Sequence, residues 1–159
     1  MKRGLGLYTI LTLIFGLILT VPGLCYADGS SNAKVLDIKG EAQLMKAGAS
    51  IWDKLEPTAK LAEGDSIKTG RGSEVRLELT GNSKTAELTV REETEFRFDT
   101  FHFNEATKVD NTLLDIGVGS VLVKAEKLVG DSKFEVKTPV SIVGIRGTLF
   151  EVNVPKPRA

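Results

Sequence analysis

Short runs of alternating apolar and polar residues, each cut off by glycine or small polar residues, constrain this chain more than any other feature. Val75, Leu77 and Leu79 alternate with Arg76 and Glu78. Ala86, Leu88 and Val90 alternate with Glu87, Thr89 and Arg91, and Phe96 and Phe98 with Glu95, Arg97 and Asp99. Leu36, Ile38, Ala42 and Leu44 share one parity around Gly40. A period of two puts the apolar set on one face of a strand, so these runs predict strands with one buried side. Glu41 to Glu63 is rich in Ala, Leu, Lys and Glu and competes as a helix by propensity. Gly48 and Pro57 interrupt it, however, and no three-to-four spacing of apolar residues survives across them. The expectation is an all-β domain: a sandwich, a barrel or a solenoid.

The last run breaks its own rule. From Phe134 on, the even positions carry Phe134, Val136, Val140, Ile142, Phe150, Val152 and Val154, and the odd positions Glu135, Lys137, Ser141, Glu151 and Asn153. Arg146 falls on the apolar parity between Gly144 and Gly147, while Val143, Ile145 and Leu149 fall on the polar one. A guanidinium on a buried face must be hydrogen-bonded or reach solvent. Three readings follow. The glycines permit a bulge that shifts the register; Arg146 pairs with a carboxylate such as Asp65 or Asp115; or it clamps a carboxylate or phosphate ligand.

The ends of the chain carry a different kind of signal. Lys2 and Arg3 precede an apolar run from Leu5 to Val21, and Cys25-Tyr26-Ala27 offers small residues at a cleavage point, the pattern of a secretory signal peptide. Residues 1–27 are therefore expected to be a signal segment with cleavage after Ala27, and an uncleaved membrane anchor is the alternative. Residues 28–34 read as a flexible spacer, 35–154 as the β domain and 155–159 as a tail. Cleavage would remove the single cysteine, and with it disulfide and thiolate chemistry. Loss of Lys2 and Arg3 takes the basic residues from 21 to 19 against 21 acidic ones, a formal charge of −2 that offers nothing to nucleic acid.

Several residues follow an order that resembles a known family. Trp52 and Leu55 are followed by Leu61-Ala62-Glu63-Gly64-Asp65-Ser66-Ile67-Lys68-Thr69-Gly70 and by Ser73 ahead of Val75. Later come Leu114-Asp115-Ile116-Gly117-Val118-Gly119-Ser120-Val121 and the stretch around Arg146-Gly147-Thr148. From about Ile38 to Val152 the chain is similar to the FecR-type domain, named for the iron-dicitrate transport regulator. The resemblance implies a periplasmic or exported β-rich domain without catalytic machinery, built as a FecR-like β-solenoid or β-sandwich behind an N-terminal signal helix. In regulator members such a domain senses a state at the outer membrane and passes it through a transmembrane helix to a cytoplasmic segment controlling a sigma factor. Only Met1 to Arg3 precede the apolar run here, so the expectation is a stand-alone exported member. Family members commonly continue past the Arg146 element, so this is either a short version or one with an incomplete last edge.

Candidate chemistry is sparse. Gly64-Asp65 and Thr69-Gly70 lack the following helix of a phosphate loop and read as tight turns. Gly117-Val118-Gly119 lacks the third glycine of a dinucleotide site. His102 is the only histidine and alternates outward between Phe101 and Phe103. The residues assemble no nucleophile, base and orienting group, so no enzyme, no cofactor and no metal is expected. The expected function is protein interaction, sensing or scaffolding in the bacterial cell envelope, with an unidentified envelope protein as partner, in the periplasm or outside the cell. Contact with the membrane is expected only through the signal segment, if it stays uncleaved. The alternative is binding of an envelope glycan or small anion. Trp52, which can stack on a sugar, and Arg146, which can hold an anion, are the candidate contacts.

Overall fold

The computed structural model describes residues 32–156 apart from positions 82, 83, 105, 129 and 148. The expected signal segment, most of the expected spacer and the end of the expected tail lie outside the described residues. The alternating runs become strands: β1 (Asn32–Lys39), β2 (Ala42–Met45), β3 (Asp53–Lys54), β4 (Lys60–Leu61), β5 (Ser66–Thr69) and β6 (Glu74–Thr80). They continue as β7 (Lys84–Val90), β8 (Glu95–Asn104), β9 (Val109–Ala125), β10 (Lys133–Lys137), β11 (Ile142–Ile145) and β12 (Leu149–Val154). The Ala/Leu/Lys/Glu-rich stretch resolves into β2, β3, β4 and the loops between them. β1 starts inside the expected spacer, because Asn32, Ala33 and Lys34 already pair with β6.

The strands form one curled sheet in the order β3-β2-β5-β8-β9-β7-β6-β1-β4. β10 and β12 add to β9, and β11 adds to β10. Every ladder is antiparallel except β9 with β10. A stacked parallel solenoid needs parallel ladders throughout, so the chain is not one; it is a mostly antiparallel sheet curled into a half-barrel over a single core. That core draws Val35, Leu77, Leu88 and Val123 from one half and Ile67, Phe96, Leu114 and Val136 from the other.

Curling requires each long strand to change which parity faces inward. In β9 the buried residues are Thr112, Leu114 and Ile116, then Val121, Val123 and Ala125. The switch falls on Gly117-Val118-Gly119, where Gly119 takes a φ of +97°. Before it β9 runs between β8 and β10, and after it between β7 and β12. β8 changes parity at a bulge between Phe98 and Thr100, which keeps Phe96, Phe98, Phe101 and Phe103 all buried. Phe98 meets Phe96 edge-on at 5.2 Å and stacks on Phe101 at 5.3 Å. A bulge between Val35 and Asp37 does the same in β1, and it corrects the expected parity: Ala33 and Val35 point inward while Leu36 is 40% exposed.

Candidate functional site

The glycine motifs turn out to be clasps. Gly64 has a φ of +84° and donates its N–H to the Phe98 carbonyl at 2.7 Å. The buried Asp65 carboxylate accepts from Lys46 Nζ at 2.7 Å and from the backbone N–H groups of Ala47 and Ala62, each at 3.0 Å. It therefore ties the β2 end to the turn before β5. Thr69 Oγ1 donates to the Arg91 carbonyl at 2.6 Å and accepts from Thr94 N–H at 3.0 Å. Thr94 Oγ1 in turn accepts from Ser120 N–H at 2.9 Å, so one hydroxyl chain joins β5, the β7–β8 turn and the bend of β9. In the turn after β5 it is Gly72, not Gly70, that takes a positive φ, at +68°. Among the described residues no buried side-chain N or O lacks a hydrogen-bond partner, so these clasps have no polar group left over for a ligand.

Arg146 belongs to no strand. β11 ends at Ile145, Gly147 turns with a φ of +62° close above Lys127, and β12 starts at Leu149 on the opposite half of the sheet. The parity conflict in the sequence is thus a change of sheet edge, not a bulge within one strand. Arg146 is exposed. Asp65 is taken by Lys46, and Asp115 by Lys137 at 2.7 Å, so neither carboxylate serves Arg146. Asp115 holds the Lys137 ammonium above its ordinary range, through the hydrogen bond first and the charge second.

Among the described residues β11 borders only β10, and β12 borders only β9, so each presents an edge that no described strand covers. Between them lies a cleft of about 790 Å³ with Val143, Ile145, Phe150, Val152 and Val154 along its walls. Its inner end lies at Gly117, near the Thr138–Ser141 turn and Lys156, and its outer end at Arg146. Of the six exposed large apolar side chains among the described residues, Val140, Ile142, Val143 and Leu149 cluster at this corner. Alternation alone placed Val140 and Ile142 inside; they are 93% and 62% exposed, while Ile145 is buried. Glu151 is the one carboxylate in the cleft lining, and it is already engaged. Ser120 Oγ donates to it at 2.7 Å and Arg91 Nε at 3.0 Å, and these hold it below the usual carboxylate range. Sequence reasoning missed this cleft. Its only trace was an uncharged stretch, Pro139 to Ile145, whose parity conflicted with its neighbours.

Trp52 lies elsewhere. It is half-buried between β2 and β3, beside the exposed Ile51, and Lys68 Nζ of β5 sits 5.8 Å from its ring centroid. Four strand spacings, about 19 Å along the sheet, separate β5 from β11. Trp52 does not line the cleft at Arg146, so the two candidate contacts are not parts of one site. His102 is half-buried and paired with Asn111, with Phe101 and Phe103 buried on either side of it.

No curated protein and no solved structure matches the chain. The model of the family described as FecR protein does match, over residues 65–159, more than half of the sequence. The match takes in Asp65, the Thr69–Thr94–Ser120 clasp, the bend of β9 and the cleft between β11 and β12. On that match, the chain belongs to the FecR protein family.

Proposed function

We propose that this protein is an exported, non-enzymatic FecR-domain module of the bacterial cell envelope that senses or scaffolds by protein–protein contact, and that the contact is made at the cleft between β11 and β12. One observation carries the reading: two free strand edges flank an apolar cleft at the corner where exposed apolar side chains concentrate. Such a concentration on an otherwise alternating surface marks an interaction site. Export is supported by the basic start, apolar run and small residues at Cys25-Tyr26-Ala27. A non-enzymatic role is supported by the buried polar groups, which are engaged in clasps that hold the fold.

A second reading, glycan or small-anion binding, draws on the half-exposed Trp52 ring and on Arg146. Affinity capture from a solubilised envelope of the source cell separates the two, using the tagged protein with its Val143→Glu and Trp52→Ala variants. Protein capture lost in Val143→Glu and kept in Trp52→Ala supports the cleft. Capture of glycan alone, lost in Trp52→Ala, overturns it.

A further inference from the structure

Resting on that reading of the cleft, we propose that its occupant is an extended segment of a partner protein, apolar at alternate positions and acidic at the end that meets Arg146, that adds as a strand to the free edge of β12. β12 supplies six residues of unpaired edge, about 20 Å of strand. β11 offers only four and includes Gly144, so it serves as the facing wall. A segment lying on β12 would point every second side chain at Phe150, Val152 and Val143.

The edges lack the usual safeguards against pairing. Natural sheets protect free edges with lysines, prolines, bulges or inward charges. Ser141 to Ile145 carries no charge, and Glu151 of β12 is turned to Ser120 and Arg91. An edge like β12, without lysine or proline between Leu149 and Val154 and with its one charge engaged, suits strand addition by a partner.

Charge selects the occupant. Arg146 stands at the outer end of the cleft with no ion pair among the described residues, Lys156 at the inner end is already held by Glu93 at 2.7 Å, and the one carboxylate among the described lining residues, Glu151, is paired with Arg91. An acidic residue at the end of the incoming strand that meets Arg146 complements that charge. A second copy fits poorly, because antiparallel pairing of two β12 edges sets Arg146 of one copy opposite Pro155 and Lys156 of the other, and neither end of β12 carries an acid to meet it. The chain's own apolar run, Leu5 to Val21, also fits poorly, since Lys2 and Arg3 flank it and no acid occurs before Asp28.

The test uses protein purified from cells expressing the full chain, with three labelled synthetic peptides. The first alternates valine and threonine between aspartate ends, the second has lysine ends, and the third has aspartate ends and an N-methylated backbone. Fluorescence anisotropy should show binding of the first alone. Arg146→Glu, at an exposed position, should weaken that binding about fivefold, the upper worth of one exposed charge pair. Amide exchange should slow, when the first peptide binds, at those Leu149–Val154 amides that do not bond to β9. Equal binding of aspartate- and lysine-ended peptides, or full binding of the N-methylated one, overturns the proposal. So does protection, in the protein alone, of those Leu149–Val154 amides that do not bond to β9, whether by self-association at the concentrations used or by the chain's own N-terminal run. If envelope-protein capture is lost in Val143→Glu yet no peptide binds, strand addition fails and the cleft reading stands. If capture survives Val143→Glu, the cleft reading itself fails.

Discussion

Gly119→Ala should be among the most damaging single-methyl additions in this protein. Gly119 sits at the bend of β9 with a φ of +97°, a conformation that costs a non-glycine residue about 1–3 kcal/mol. The added Cβ would also fall onto Thr94, meeting its Cα and Oγ1 and lying 2.6 Å from its Cβ. Two backbone segments would have to part, an overpacking cost of about another 1–3 kcal/mol. The total, about 4 kcal/mol, is a large share of the roughly 5–15 kcal/mol that holds a domain folded. Because the clash includes the Thr94 main chain, Thr94→Ala should not rescue the variant; it removes the acceptor of Ser120 N–H and adds to the loss. Gly48→Ala is the control, since its φ is +74° but nothing lies within 4 Å of the added methyl. Urea titration of purified protein measures both, with the single tryptophan reporting by fluorescence and far-ultraviolet circular dichroism as a second probe. A Gly119→Ala loss no larger than that of Gly48→Ala would refute the role assigned to the bend.

Other outcomes follow from the clasps and the exposed charges. Asp65→Asn removes the charge that three donors share and turns an amide donor toward them, at a cost of about 2–3 kcal/mol in the same titration. Arg146→Ala should shift unfolding by less than about 0.5 kcal/mol, as befits an exposed side chain without an ion pair among the described residues; a larger loss would restore an architectural role. Glu93 is held below its ordinary 4.5 by the hydrogen bond from Lys156, then by the charges of Lys156 and Arg71. A depressed carboxylate stabilises the folded state above the unfolded value and loses that contribution as pH falls through the folded one. Lys156→Ala should therefore lower the urea midpoint at neutral pH, and the gap to wild type should close as pH falls below 4.5. A gap that stays constant into acid would refute the pairing.

The fold was legible where one strand stays on one half of the sheet. β6 and β7 obey simple alternation, so Val75, Leu77, Leu79, Ala86, Leu88 and Val90 are buried as read. Legibility failed where the chain changes sides, because a parity switch is set by pairing with distant strands. Leu36 was misplaced by a bulge that β6 imposes on β1, and Val140 by a hairpin that projects past the core. The four phenylalanines of β8 contain the same signal, since Phe98 and Phe101 are three apart and share a face only across a bulge. The cleft was out of reach for a related reason. Its walls are the margins of two halves of the sheet, and only the bend of β9 determines that those margins meet.

The shared strand also sets the order of events when the chain folds. β7 and β8 each have one neighbour earlier in sequence, β6 and β5, and both wait for β9 to complete their second edge. Until residues 109–125 have emerged, neither half of the sheet has its middle, and β10 and β12 have nothing to join. Closure is therefore late, non-local and single-step, which predicts slow folding for a chain of this size. A nascent chain that stays open until its last third is made remains threadable through a narrow passage for most of its synthesis.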